Sequence, residues 1–257
     1  MKKLLSLTML LLLIFAYGCK RKDDPKPNVP TAPSLKLSFK NFVGNDTLSL
    51  NNEWYQNANG DSFSVTMYKY YISNIVLTKD DGSQFIDTNG YYLINSTDAA
   101  SKVIDIKNIT AGNYTKIQFL VGVDSLRNVS GAQTGALDPF FGMFWDWNSG
   151  YIMAKLEGNS PQSPNLSKQF VYHVGGFTGE NNVLKTIQLT LPQKATVVSN
   201  SSSIIEIKSD VLEWFKTPTT ISINSFPGAM NGGKPAKTIS DNYADMFTIT
   251  SVITSME

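Results

Sequence analysis

The stretch FSVTMYKYYISNIVLTK, Phe63–Lys79, contains neither glycine nor proline and is crowded with Val, Ile, Thr and Tyr. Branched and ring side chains lose rotamer freedom against a helical turn but pack well on a pleated surface, so this run reads as one long strand. Asp80-Asp81-Gly82 follows it as a hairpin turn. Upstream, Leu35-Lys36-Leu37-Ser38-Phe39 alternates apolar and polar, the mark of a half-buried strand, and Thr47–Leu50 reads as a second. Asn57–Asp61 reads as a turn.

Downstream, strands are expected at Tyr91–Asn95, Val103–Ile106, Asn113–Val123, Ile152–Glu157, Lys168–Val174, Leu184–Leu191, Ala195–Val198, Ile204–Lys208 and Phe247–Ile253, with Ile221–Asn224 extended. One segment reads as helix: Ser209-Asp210 caps Val211–Lys216, and Thr217-Pro218 stops it. Pro227–Pro235, with three glycines, reads as a loop. The expected fold is all-β, a two-sheet β-sandwich with one short helix near 210–216. No linker interrupts residues 35–257, which read as one domain.

The formal net charge is +1 and 42% of residues are hydrophobic, ordinary values for a globular protein. No basic patch stands out beyond the N-terminus, so nucleic acid is not an expected partner. The single cysteine, Cys19, excludes an internal disulfide framework and a cysteine-rich zinc site.

Residues 1–18 pair Lys2-Lys3 with an apolar run from Leu4 to Ala16, the pattern of a secretory signal. The run is shorter than the about 20 apolar residues of a membrane-spanning helix. Ala16-Tyr17-Gly18-Cys19 resembles the lipobox of bacterial lipoproteins. That resemblance implies cleavage before Cys19, lipidation of its thiol and attachment to the outer membrane, on its periplasmic or its outer side. Residues 19–34, proline-rich and of mixed charge, read as a disordered tether. Within it, Lys22-Asp23-Asp24 resembles a surface-export signal of Bacteroidetes-type lipoproteins.

Candidate chemistry centres on LDPFFGMFWDWNSGYIMAKLEG, Leu137–Gly158. If Met143–Trp147 is extended, Met143, Trp145 and Trp147 share one face. Asn148-Ser149-Gly150 marks a turn. So much ring surface serves either as a core plug or as the wall of a site. In a glycan-binding reading, the indoles and Tyr151 stack on sugar rings while Asp146 and Asn148 bond hydroxyls. The only histidine, His173, lies in Tyr172-His173-Val174-Gly175-Gly176. It lacks a serine in a nucleophile-elbow pattern, and Asp138, Asp146 and Glu157 lack a fixed separation for glycoside hydrolysis, so no enzyme is expected. Asp124, Asn128 and Asp138 offer oxygen ligands for calcium or, more simply, turn caps. Soft donors suit copper: the His173 imidazole, with the thioethers of Met143, Met153, Met230 and Met246.

Phe144–Ile152 (FWDWNSGYI), followed by Lys155-Leu156-Glu157-Gly158, resembles the core motif of the MbnP-like family of methanobactin partners. So does Tyr172-His173-Val174-Gly175. Tyr70–Ile75, Gly122–Ser125, Gly135–Pro139 and Asn242–Phe247 resemble the family's Bacteroidetes lipoprotein branch. The resemblance spans nearly all of 35–257. It implies a β-rich envelope protein linked to copper, with calcium as a second metal. It also implies a dihaem peroxidase partner that oxidises a tryptophan to a kynurenine-type copper ligand. On this chain Trp145 or Trp147 is the modifiable indole, and His173, with Met143, is the metal-ligand candidate. Characterised members use more than one histidine. With one here, methionine or a modified tryptophan would have to stand in, or the site is lost.

Overall fold

The computed structural model describes residues 32–147 and 150–256; Cys19, the tether, Asn148 and Ser149 lie outside them. Eight strands of seven residues or more carry the fold: β1 Ser34–Val43, β2 Ser62–Lys79, β3 Gly112–Val121, β4 Gly150–Asn159, β5 Gln169–Gly175, β6 Lys185–Val197, β7 Ser201–Asp210 and β8 Phe247–Met256. They form two sheets. The larger runs β6-β3-β2-β4-β5, and the smaller runs β8-β7-β1. Shorter strands extend both. Tyr91–Asn95 and Gln84–Ile86 pair with β2, Val103–Ile106 with β1, and Phe144–Trp145 with β4. β1 and β7 run parallel; the other long neighbours are antiparallel.

The expected long strand is there, and its burial explains its length. Tyr68, Tyr70 and Ile72 face inward, and past Asn74 the inward set becomes Ile75 and Leu77. The phase changes because the register against β3 shifts between Ser73 and Val76, where Asn74 sits at φ 51°. A bulge of this kind inserts a residue and turns the next side chain to the other face. The core lies between the sheets. Phe39 of β1 meets Phe119 of β3 at 5.9 Å and Phe247 of β8 at 6.1 Å, all edge to face. The buried Asn41 is satisfied across the gap, accepting from Tyr70 Oη at 3.0 Å and donating to Ser96 Oγ at 2.8 Å.

Several local expectations change. The expected helix is a short 3-10 helix, Val211–Phe215, whose cap is Asp210 accepting from the Leu212 N–H. A nine-residue α-helix, α1 Lys234–Asn242, occupies a stretch that read partly as loop. Of Thr47–Leu50 only Thr47 is strand, in Asp46–Thr47, with the Leu48 N–H adding a bond to Asn41 O at 2.9 Å, and Ile221–Asn224, expected extended, enters a turn at Ile223. Ala195–Val198 continues β6 beyond a bulge rather than forming a separate strand. Among the described residues no helix is long and apolar enough to cross a membrane.

Candidate functional site

The outer face of the larger sheet carries a polar patch that register alone assembles. Lys69 of β2 stands opposite Lys155 of β4, and Lys155 stands opposite His173 of β5. In the next row Met67, Glu157 and Val171 align. Alternation turns Tyr68, Tyr70, Leu156, Tyr172 and Val174 into the core and leaves this set on the other face. His173 Nε2 meets Glu157 Oε1 at 2.7 Å across the diagonal, with the imidazole side chain 12% exposed.

A strap from Ala136 to Trp147 crosses this face, and the sheet holds it by its carbonyls. Tyr71 Oη donates to Ala136 O at 3.1 Å and Tyr151 Oη to Leu137 O at 2.9 Å. Lys69 Nζ donates to Phe141 O at 3.0 Å, and Lys155 Nζ to Gly142 O. The Ile152 N–H donates to Met143 O at 2.9 Å. Gly142 takes φ 67° between the two lysine-held peptides, a conformation that glycine adopts without a Cβ penalty.

These contacts set the charges. The His173 hydrogen bond holds the Glu157 carboxyl below its ordinary range, and the charges of His173, Lys155 and Lys69 add to this. Burial lowers both Lys155 and Lys69, while the charge of Glu157 pulls each back up.

The strap ends in the indole pair. Only Phe144–Trp145 is strand, so Met143, Trp145 and Trp147 do not form one extended face. Trp145 is 6% exposed and Trp147 is 65% exposed, their rings 5.5 Å apart. Trp145 lies on Gly175, where a Cβ would come within 2.3 Å of its Cζ3. The indole and the imidazole, far apart in sequence, are therefore brought to neighbouring positions of β5.

The thioethers do not gather there. Met153 Sδ accepts from the Val123 N–H at 3.2 Å, and Met246 Sδ from Tyr68 Oη at 3.3 Å. Met230 is exposed, and Met143 is fully buried. Asp124, Asn128 and Asp138 serve as caps and loop ties. Asp124 caps the turn Ser125–Asn128, Asn128 Oδ1 accepts from the Tyr151 N–H, and Asp138 accepts from the Phe140 N–H. Among the described residues no three His, Cys, Asp or Glu side chains converge as a metal cage. The sequence reading missed the roles of Lys69, Lys155 and Glu157. The period-two spacing in Lys155-Leu156-Glu157 and Tyr172-His173-Val174 places them on outer faces, but only register joins the strands.

The MbnP family model matches residues 32–231, which is most of the domain. The chain belongs to the MbnP family. Its fold is similar to that of MbnP from Methylosinus trichosporium, with a TM-score of 0.50 at 12% identity, covering 76% of this chain and 80% of that one. Among curated protein sequences no relative matches. This member of the MbnP family carries one histidine, two residues along β5 from the glycine on which Trp145 lies.

Proposed function

We propose that this MbnP-family chain is a non-catalytic copper-handling protein of the cell envelope, tethered by lipid on Cys19. The observation that supports this reading is the seating of Trp145 on Gly175, two residues along β5 from His173. The Glu157 contact suits a ligand role. Metal-binding histidines commonly engage a carboxylate through one ring nitrogen and coordinate through the other. With Nε2 on Glu157, Nδ1 is the coordinating atom.

The unmodified chain supplies one imidazole, and that does not complete a copper site. Two lysine ammoniums beside Glu157 also oppose a highly charged ion. The reading therefore requires oxidation of Trp145 by a dihaem peroxidase. Two molecules of hydrogen peroxide each give one oxygen atom to the pyrrole ring and leave as one water, opening it to N-formylkynurenine; hydrolysis by a further water then releases formate and leaves a kynurenine. Its carbonyl and amine are the added donors.

The test is metal analysis of protein from its native host, combined with mass spectrometry of the peptide holding Trp145 and Trp147. Copper in near-stoichiometric amount, lost in His173→Ala, is expected together with an oxidised Trp145. Metal-free protein with both indoles intact would overturn the reading.

A further inference from the structure

Beside Trp145 a cavity of about 200 Å³ opens between the Phe144–Trp145 hairpin, the loop after β5 and the start of α1. Trp145 and Phe177 are its aromatic lining residues besides Tyr151, whose ring packs on Tyr71 and Phe144, and Gly176 and Gly233 leave backbone bare. These glycines sit at φ 118° and 112°, where other residues are strained. Thr178 and Asn181 provide its side-chain hydrogen-bonding groups.

Neither of those groups is used by the fold. Thr178 precedes the 3-10 turn Gly179–Asn181 without capping it by its side chain. Among the described residues, the Thr178 hydroxyl and the Asn181 amide make no side-chain hydrogen bond. The Tyr151 hydroxyl, in contrast, is spent on Leu137 O. No lining residue carries a charge, so an ion entering here would lose water without gaining a charged partner.

We propose that this cavity binds one neutral sugar ring. A pyranose has an apolar C–H face to set against the indole and phenyl walls, and a rim of hydroxyls. An amide offers donors and an acceptor to those hydroxyls, and a threonine hydroxyl does both. The space equals about seven water volumes, enough for one ring but not for a chain. The ligand is either a free monosaccharide or the terminal residue of a larger glycan. The exposed Trp147, outside the lining but 5.5 Å from Trp145, is placed to stack on a neighbouring residue in the second case.

The sugar site belongs to the chain with the Trp145 indole intact, the state that precedes the oxidation the copper reading requires, and it does not depend on copper. It is tested on the full chain in detergent, with chelator present and Trp145 verified as unmodified by mass spectrometry. Neutral hexoses, N-acetylhexosamines and glycans ending in the same rings are titrated by calorimetry and by indole N–H NMR, with sulfate as control. At least one neutral sugar is expected to bind with a dissociation constant of about 1 mM or tighter and to shift the Trp145 resonance. Asn181→Ala should weaken that sugar about fivefold, the worth of one hydrogen bond, without lowering the melting temperature. Tighter binding of the glycan than of the free sugar, lost in Trp147→Ala, assigns the ligand to a chain end; equal binding assigns a free monosaccharide. No heat and no shift across the panel, binding of sulfate alone, or unchanged binding in both Asn181→Ala and Thr178→Val would overturn the proposal.

Discussion

The ring cluster around Trp214 and the ring cluster around Trp145 use the same residue types but are finished differently. Trp214 is fully buried, with Tyr243 at 4.9 Å and Tyr68 at 5.9 Å. Asn242 ties the backbone there, donating to Trp214 O and Thr219 O. Trp145 is closed on one edge by Gly175 and faces an exposed Trp147 and an open cavity. Apolar burial holds the first cluster. Polar ties to a strap hold the second, through Lys69, Lys155, Tyr71 and Tyr151. Aromatic content alone therefore does not separate core from site. The distinction lies in what the rings border: packed core around Trp214, an exposed ring and an open cavity beside Trp145.

The largest effect expected from this contrast is at the sealed cluster. Trp214→Ala removes the largest fully buried side chain and should cost about 3–5 kcal/mol in urea unfolding. A loss near that of an exposed residue would show the Trp214 region to be loosely packed and would erase the contrast. Part of the indole's contribution is already offset, because Trp214 Nε1 and Tyr243 Oη have no hydrogen-bond partner among the described residues.

The second test targets the closed edge of Trp145. Gly175→Ala puts a Cβ within 2.3 Å of the ring, so the indole must shift. Overpacking of this kind costs about 1–3 kcal/mol. The emission of Trp145 should change with it, since its surroundings are altered. If stability and emission both stay at wild-type values, Trp145 is not seated on β5, and the link between indole and imidazole is broken.

How far the sequence displays these features differs along the chain. Val103–Ile106 is legible to the residue because its burial alternates, and Tyr91–Asn95 because ring and branched side chains are bounded by turn residues. α1 is hidden. It opens with Gly-Gly-Lys-Pro, which reads as a turn, and its buried side is only Ala236, Ile239, Ser240 and Asn242. The twin indoles and the lone histidine are conspicuous as residues. That Lys69, Lys155 and His173 form one row is invisible, because the pairing register of distant strands is not written in either strand alone. The cavity escapes notice for a related reason: its polar groups, Thr178 and Asn181, lie in an unremarkable loop.

A smaller effect is expected at Glu157, and it depends on pH. The carboxyl is held below its ordinary range in the folded chain, chiefly by His173. Its contribution is therefore fully present above the unfolded carboxylate pKa of about 4.3 and is lost as pH falls through the lower folded value. Glu157→Gln should lose about 1 kcal/mol near neutral pH, the worth of one hydrogen bond at a partly covered site. The gap to wild type should close in acid. A constant gap down to about pH 2 would show that the stabilisation does not come from the ionised carboxylate.

The smallest effect belongs to the outer indole. Trp147 is 65% exposed, and among the described residues its one ring contact is with Trp145. Trp147→Ala should change unfolding free energy by no more than about 0.5 kcal/mol, as for surface positions away from caps and cores. Its effect should appear instead on its neighbour. Removing the ring opens the outward side of Trp145, so acrylamide should quench the remaining emission more readily. Unchanged quenching would mean that Trp147 does not shield Trp145. A stability loss approaching that of Trp214→Ala would make the outer indole part of the core, and the rim of the cavity would then be packing rather than a surface left open for a ligand.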